Sequence, residues 1–342
     1  MTWLERIYPV LKPWLFRLDA ETAHTLTVKM MVSAHQLGLL RPLSTAGAPV
    51  TCMGLTFPNR LGLAAGMDKS ASAADAWAAL GLGHVEVGTL TPRPQPGNAK
   101  PRLFRLPEHD ALINRMGFNN PGIISAVKRL EKRRSKAVVG VNIGKNFDTP
   151  NENAVNDYLY CLKAAYGTAD YITVNISSPN TKGLRDLQAE DAVRHLLTTL
   201  KKEQAELKKE HGKSVPVLVK IAPDLNDLQI ESLARVINEI NLDGVIATNT
   251  TIAREAVAGH RLANETGGLS GAPVRERSTL VLQAFRLLLK PGIPLIGVGG
   301  ITEGSHATEK VKHGAQLVQV YSGLVFRGPA LIRDCLDALA HS

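Results

Sequence analysis

Cysteine is scarce in this chain, and the cysteines that are present lie far apart. Cys52, Cys161 and Cys335 are odd in number, and no Cys-x-x-Cys pair occurs. This spacing argues against a structural zinc site, an iron–sulfur cluster or a disulfide framework. It fits a reducing compartment, and we predict no metal site.

Long apolar runs are missing as well. The N-terminal residues are rich in apolar side chains, but Glu5, Arg6, Lys12 and Arg17 interrupt them. The segment is therefore too short and too charged to cross a bilayer or to act as a secretory signal.

Dense stripes of lysine and arginine with interleaved aromatic residues do not occur either, so we expect no nucleic-acid partner. The net charge of +9 favours attraction to anions. Candidates are a phosphate cofactor, an acidic substrate or an anionic membrane surface.

The N-terminal region contains two helical patterns. Apolar side chains recur with the period of one helical face over residues 4–18, where Pro9 and Pro13 predict a broken helix. Asp19 is a suitable N-cap for a second helix that ends near Gly38. Such an amphipathic pair either packs on the main domain or lies on a membrane surface, and the pattern alone leaves both open.

From about residue 55, short apolar runs alternate with helical patterns. Eight runs predict strands, at residues 61–65, 84–90, 137–143, 171–176, 216–221, 244–250, 294–299 and 317–321. Their alternation with helices predicts a (β/α)8 TIM barrel over residues 41–342, with residues 1–40 as a small amphipathic helical extension. A doubly wound sheet is less well supported, because no Gly-x-Gly-x-x-Gly turn follows the first run.

Two further features concern the ends of this barrel. Residues 51–57 predict a short hairpin that closes its bottom. The longest insertions, at about 91–136 and 251–276, follow the second and sixth strands, on the face where such barrels carry their active sites.

The predicted strands end in amides, hydroxyls and lysines. The fourth is typical, since an alternating apolar strand runs into Asn175-Ile-Ser-Ser-Pro-Asn-Thr181. Carboxylates and histidines are nearly missing from these ends, which argues against glycoside hydrolysis and metal catalysis. Amides suit the edge of a neutral planar ligand, and a lysine suits a carboxylate or the electron-rich edge of a reduced flavin.

Lys220, on the fifth strand, is the best candidate for stabilising negative charge on a flavin. The alternative is a barrel-interior lysine in an ion pair, for which the strand ends offer no obvious carboxylate. Strands seven and eight end in Gly297-Val-Gly-Gly300 and Tyr321-Ser-Gly323, which predict a phosphate site. A phosphate site beside a polar mouth large enough for an isoalloxazine predicts FMN.

The chain resembles the dihydroorotate dehydrogenases, specifically the quinone-dependent class 2 enzymes. The resemblance spans nearly the whole chain through motifs at residues 61–69, 88–98, 101–106, 114–120, 142–146, 175–181, 219–225, 246–250, 266–271 and 297–301. It implies oxidation of (S)-dihydroorotate to orotate in pyrimidine biosynthesis. A base removes a proton from C5, hydride leaves C6 for N5 of FMN, and a membrane quinone receives the electrons.

The resemblance also implies roles for individual residues. The base is Ser178, where the soluble class 1 enzymes carry cysteine. Serine is a weak base and needs help, which Thr181 offers through water. Ser177 is the adjacent rival and faces away by strand alternation. Residues 179–188, including Gly183, are expected to form a mobile lid.

The implied ligand contacts fall into three sets. Substrate contacts are Lys69, Asn114, Arg115, Met116, Gly117, Phe118, Asn175, Asn180, Asn249 and Thr250. FMN contacts, for one FMN per chain, are Ala65, Gly66, Met67, Asp68, Lys69, Thr89, Asn142, Asn175, Lys220, Thr248, Gly271, Gly300, Tyr321 and Ser322. The quinone tunnel is lined by His24, Arg105 and Tyr321.

With this resemblance, the N-terminal helices become a membrane-surface region that admits the quinone. We expect a monomer bound peripherally to the cytoplasmic face of the inner membrane. Alternatives are another FMN barrel oxidoreductase with a different planar substrate or soluble acceptor, and a silent flavin- or membrane-binding module. A sugar-phosphate isomerase or aldolase is a third alternative and depends on Lys220.

Overall fold

Two helices begin the chain in the computed structural model, which describes residues 2–44 and 46–341. They are α1 (Trp3–Arg17) and α2 (Ala20–Gln36). The predicted break in the first helix is wrong, because α1 continues through Pro9 and Pro13. Both prolines are exposed, so water can serve the carbonyls whose intrahelical donors they remove.

The second helix begins and ends as predicted. The Asp19 carboxylate accepts the Thr22 backbone N–H at 2.9 Å, which satisfies a free donor of the first turn. Gly38 follows the helix with φ of +70°, a conformation that glycine adopts without strain.

The predicted hairpin is confirmed as β1 (Val50–Cys52) paired antiparallel with β2 (Leu55–Phe57). Cys52 and Phe57 are buried against interior apolar residues of the barrel, including Tyr171 and Leu218. The hairpin therefore closes the end of the barrel away from the strand C-termini.

The remaining strands follow in chain order. They are β3 (Leu61–Asp68), β4 (His84–Leu90), β5 (Leu103–Leu106), β6 (Ala111–Asn114), β7 (Val138–Ile143), β8 (Tyr171–Asn175), β9 (Val217–Ile221), β10 (Gly244–Ala247), β11 (Gly268–Gly271), β12 (Leu295–Val298) and β13 (Leu317–Val320). The remaining helices are α3 (Ala74–Ala79), α4 (Ile123–Leu130), α5 (Ala154–Tyr166), α6 (Glu190–His211), α7 (Asp227–Ile240), α8 (Arg275–Leu288), α9 (Gly304–Lys312), α10 (Ser322–Arg327) and α11 (Ala330–Leu339).

The (β/α)8 barrel is confirmed. Its eight parallel strands close in the order β3, β4, β7, β8, β9, β10, β12 and β13, and β13 pairs back with β3. The strands are buried almost throughout, as expected for a parallel sheet covered by helices on its outer face.

A second sheet, which the apolar pattern did not predict, crosses the long insertions. β6 pairs antiparallel with both β5 and β11. It thereby joins the insertion after β4 to the insertion after β10. Leu106, Ile113 and Leu269 form a small buried core behind this sheet, which holds two loops of the catalytic face in fixed positions.

The helical extension docks on the barrel through polar groups. The Tyr8 hydroxyl and the Lys12 ammonium donate to the carbonyls of Val325 and Phe326 on α10, at 2.6 and 2.7 Å. Arg102 forms a buried ion pair with Glu21 of α2 at 2.7 Å.

Much of the apolar surface of these helices nevertheless stays exposed. The exposed side chains are Trp3, Ile7, Val10, Trp14, Leu18, Leu26, Met30, Leu37 and Leu39. Within residues 2–44 and 46–341, no helix has both the length and the apolar character needed to cross a bilayer.

Candidate active site

A cavity opens where the barrel strands end, and most of the predicted site residues line it. It contains about 1020 Å³ of space, part of it open to solvent. Lining residues from the predicted sets are Ala65, Gly66, Lys69, Thr89, Asn114, Met116, Gly117, Phe118, Asn175, Ser178, Asn180, Lys220, Thr248, Asn249, Thr250, Gly271, Gly300, Tyr321 and Ser322. Predicted residues outside the lining are His24, Met67, Asp68, Arg105, Arg115 and Asn142.

Two of the outlying residues hold neighbouring structure. The Arg115 guanidinium pairs with Glu265 at 2.6 Å, which links the two long insertions. Arg105 donates to the carbonyls of Leu15, at 3.0 Å, and Leu18. A cation near these carbonyls stabilises the C-terminus of α1.

Asp68 shapes the turn that carries Lys69. Its buried carboxylate accepts backbone N–H groups from Ser70, Ser72 and Ala73 at 3.3, 2.9 and 2.8 Å. Burial raises the pKa of Asp68 against the effect of these bonds. The carboxylate therefore orders the loop after β3 and fixes the position of its neighbour at the cavity wall.

Lys69 is a half-buried lysine in the cavity wall. Burial lowers its pKa to about 8, while the Glu21 and Asp68 carboxylates favour the charged form. Burial and the charge of Lys69 lower the pKa of His24 to about 3, so this imidazole is neutral at pH 7. Lys69 thus presents a cation, beside a neutral histidine, to an anionic ligand in the cavity.

The two serines after β8 face in different directions. Ser178 lines the cavity, and its Oγ accepts the Asn180 backbone N–H at 3.3 Å. The Ser177 hydroxyl donates to Asn175 Oδ1 at 3.3 Å and accepts from Asn249 Nδ2 at 3.0 Å. Strand alternation predicted this division between the neighbours.

The segment after Ser178 is tied down by Arg185, which sequence reasoning missed. This residue lies in a short 3-10 helix (Leu184–Gln188). Its guanidinium donates to the Ser177 carbonyl at 3.0 Å, to the Asp224 carboxylate at 2.7 Å and to the Thr250 carbonyl at 2.9 Å. One side chain therefore joins the loops that follow β8, β9 and β10.

Glu86 is the second residue that sequence reasoning missed. It lies in the middle of β4 with no exposed surface and accepts hydrogen bonds from Asn142, Tyr171 and Gln319. It also favours the charged form of Lys220, whose pKa is lowered by burial. Glu86 was not predicted as the partner of this lysine because it lies within β4 and not at a strand end.

The glycine-rich walls allow close approach of the backbone. Gly300 has φ of +74°, and a Cβ there would lie 2.2 Å from Arg275. Gly271 has φ of +98°, and its Cβ would lie 2.1 Å from the Asp110 carbonyl oxygen. Both positions require glycine, as expected of a phosphate cradle near the start of α10.

Unpartnered polar atoms in the wall fit a polar planar ligand. In the described part of the chain, four lining residues carry a buried oxygen without a hydrogen-bond partner: Asn119 Oδ1, Asn180 Oδ1, Thr250 Oγ1 and Gln319 Oε1. Buried polar atoms are nearly always satisfied, so these atoms fit a ligand that supplies their hydrogen bonds. The residues present therefore fit FMN together with a small heterocyclic substrate.

The chain is similar to known proteins over nearly its whole length. Residues 48–342 match the family model described as dihydroorotate dehydrogenase. The chain is 57% identical over 337 residues to the dihydroorotate dehydrogenase (quinone) of Chromobacterium violaceum, covering 98% of each chain. It is 53% identical over 334 residues to that of Neisseria meningitidis serogroup B, covering 98% of this chain and all of the other.

Solved structures extend the similarity to the fold. Ligand-free DHODH from Eimeria tenella superposes with a TM-score of 0.87 at 40% identity, covering 94% of each chain. The same enzyme in complex with ferulenol superposes with a TM-score of 0.87 at 39% identity, covering 93% of this chain and 90% of the other.

Proposed function

The chain belongs to the dihydroorotate dehydrogenase family, and on that premise we propose that it oxidises dihydroorotate to orotate with FMN and a quinone acceptor. The observation that carries this proposal is the cavity at the barrel mouth. There a serine, a lysine and a set of amides line the space that a flavin and a small planar anion would occupy. The reaction is a step of pyrimidine biosynthesis.

The chemistry that FMN supplies when bound is acceptance of a hydride from C6 of the substrate and later transfer of electrons to the quinone. We propose that Thr89, Lys220 and Thr248 contact the ring system. The backbone at Gly300 and Ser322 would hold the phosphate.

We propose that Ser178 removes the proton from C5. A serine hydroxyl is a weak base, so its proton must be able to leave as the new one arrives. Thr181 is buried nearby in the chain and would pass this proton outward through water. Burial of Ser178 excludes competing solvent from the reacting carbon.

Substrate orientation falls to Lys69 and the amides. The Lys69 ammonium would pair with the substrate carboxylate. The edges of the pyrimidine ring would form hydrogen bonds with the amides of Asn114, Asn175, Asn180 and Asn249. The Asn180 amide already donates to Asn114 Oδ1 at 3.1 Å, so these two act as one unit.

The proposal predicts that the purified protein is yellow and releases FMN on denaturation. Steady-state assays should show formation of orotate from dihydroorotate with a quinone acceptor. Comparable rates with NAD⁺ or fumarate would instead favour a barrel oxidoreductase with a soluble acceptor. A colourless protein would favour the isomerase or aldolase alternative.

We further propose that residues 1–40 form a membrane-surface and quinone-access region, with residues 41–342 as the catalytic domain. The exposed apolar side chains of α1 support this proposal. Val10 and Trp14 are 65% and 64% exposed, and the Arg17 guanidinium lies 4.9 Å from the Trp14 ring centre. Apolar groups beside a cation suit an anionic bilayer surface.

The quinone would reach the flavin from this face. Arg105 contacts the end of α1, and the Tyr321 hydroxyl at the cavity wall donates to the Gly66 carbonyl at 3.4 Å. We propose that these residues and His24 line the path. The protein would act as a monomer on the cytoplasmic face of the inner membrane.

Flotation with anionic lipid vesicles tests the membrane proposal. The double variant Val10→Ser/Trp14→Ser should float less and turn over slowly with a long-tailed quinone, while its flavin is reduced normally by dihydroorotate. The matched control is Leu287→Ser, which alters a side chain 80% exposed on α8. Equal flotation of all three proteins would contradict the proposal. Light scattering gives the oligomeric state in solution.

A further inference from the structure

The Glu86 carboxylate lies beneath the cavity and is the end point of a hydrogen-bond chain. Its Oε1 accepts from Asn142 Nδ2 at 2.7 Å. Its Oε2 accepts from the Tyr171 hydroxyl at 3.0 Å and from Gln319 Nε2 at 2.9 Å. A carboxylate can only accept, so each of these groups must turn a donor toward it.

This requirement fixes the amides above it one after another. With its NH₂ group on Glu86, Asn142 presents Oδ1 upward, where it accepts from Thr89 Oγ1 at 2.5 Å and Asn175 Nδ2 at 3.2 Å. Asn175 then presents its own Oδ1, which accepts from Asn249 Nδ2 at 3.2 Å. In this series of hydrogen bonds, each donor therefore points toward the Glu86 carboxylate.

We propose that Glu86 is a positioning residue that sets the donor and acceptor pattern of the cavity mouth through Asn142 and Asn175. The two ends of an asparagine amide have nearly the same size, so packing alone does not choose its orientation. A group that can only accept hydrogen bonds, at the lower end of this hydrogen-bond series, does choose the orientation of each amide above it. This inference rests on the proposed function, in which these amides meet the flavin and the substrate.

The charges beneath the cavity agree with this role. Lys220 is buried at the cavity wall, and the Glu86 carboxylate favours its charged form. Loss of the carboxylate would leave a buried ammonium without its compensating charge. Glu86 thus serves both the amide orientation and the charge balance of the barrel interior.

Two substitutions, tested singly and together, distinguish a role of Glu86 in orienting the amides from a general role in stabilising the fold. In Glu86→Gln, the new amide meets donors from three side chains with a single acceptor oxygen. In Asn142→Asp, two carboxylates face each other. In the double variant, the introduced glutamine donates to the introduced aspartate, which still accepts from Thr89 and Asn175. Both the charge and every donor direction above are restored.

Two measurements read these variants. Orotate affinity is followed by perturbation of the flavin spectrum, and FMN retention is followed by flavin fluorescence after dilution. We expect each single variant to lose orotate affinity on the order of 10- to 100-fold and to release FMN faster. The double variant should recover most of both losses. The control Tyr171→Phe, which removes a donor outside the upward chain, should bind orotate nearly as the unaltered protein does.

Wild-type orotate affinity in Glu86→Gln, or a double variant no better than the worse single variant, would overturn the inference. If the single variants do not fold, a double variant that folds and binds orotate supports the inference, and a double variant that folds but does not bind orotate overturns it. If orotate does not perturb the flavin of the unaltered protein, the proposed function fails. FMN retention then decides alone, with loss in the single variants and recovery in the double variant as the supporting result.

Discussion

Replacement of Arg185 by alanine should open the segment that carries Ser178. The guanidinium bonds to the carbonyls of Ser177 and Thr250 and pairs with Asp224. Its side chain is 21% exposed and that of Asp224 is 19% exposed, so these contacts are largely shielded from solvent. The substitution leaves the barrel core unchanged.

The magnitude follows from the three contacts. A hydrogen bond from a charged donor contributes about 1.5 kcal/mol, and a partly exposed ion pair contributes up to about 1 kcal/mol. Water can replace some of the lost bonds at the two carbonyls, so the net loss is about 2–3 kcal/mol. The ratio of closed to open segment should therefore fall by about 30- to 150-fold.

Anaerobic stopped-flow with saturating dihydroorotate measures the consequence. Flavin reduction should slow by about tenfold or more in Arg185→Ala, whereas reoxidation by a water-soluble quinone should not change. Asp224→Asn, which weakens one contact of three, should give a smaller effect. Lys182→Ala alters an exposed side chain of the same segment and serves as the matched control. Reduction of Arg185→Ala at the wild-type rate would refute the proposed role of this residue.

Three further predictions follow from the site and its supports. The KM for dihydroorotate should rise as pH increases through about 8, because the Lys69 ammonium is charged below that pKa and neutral above it; Lys69→Met should raise KM and remove this dependence in steady-state assays. Arg102→Met removes the buried partner of the Glu21 carboxylate, which keeps only the exposed Lys100 at 3.5 Å, and should lower the free energy of unfolding by about 3 kcal/mol; Lys100→Met, at the same carboxylate but with a lysine that is 67% exposed, should change it by less than about 1 kcal/mol in denaturant titrations. Gly300→Ala places a Cβ 2.2 Å from a neighbouring residue and should weaken FMN retention on dilution, whereas Gly212→Ala, with φ of +65° but open space around it, should not.

The barrel could be predicted from the sequence because the same pattern, an apolar strand followed by an amphipathic helix, recurs along the chain. Eight buried runs alternate with amphipathic helices, and each parallel strand reads as a continuous apolar stretch. The antiparallel sheet of the insertions could not be predicted this way. β5, β6 and β11 are four residues each, and their pairing joins segments that are distant in the chain.

The helix through Pro9 and Pro13 was mispredicted for a related reason. Local propensity opposes it, but Tyr8 and Lys12, which alternate with the prolines, bind α10 and hold the helix in place. Tertiary contacts of this kind are not visible in a periodic pattern.

The sequence predicted which residues share the cavity mainly where they lie at strand ends. Ser178, Lys69 and the amides line one cavity, as a parallel barrel requires of C-terminal strand ends. Arg185 and Glu86 were missed because their roles depend on contacts with several other elements. Their roles, and those of the residues that the family resemblance suggests, remain predictions.

The base is tested most directly by anaerobic reduction of the flavin in Ser178→Ala. The unaltered protein should lose its oxidised-flavin absorbance on mixing with dihydroorotate. The variant should do so on the order of a hundredfold more slowly, with unchanged reoxidation by quinone. Equal rates in the two proteins would contradict the assignment of the base, and an unaltered flavin that dihydroorotate does not reduce would contradict the proposed reaction.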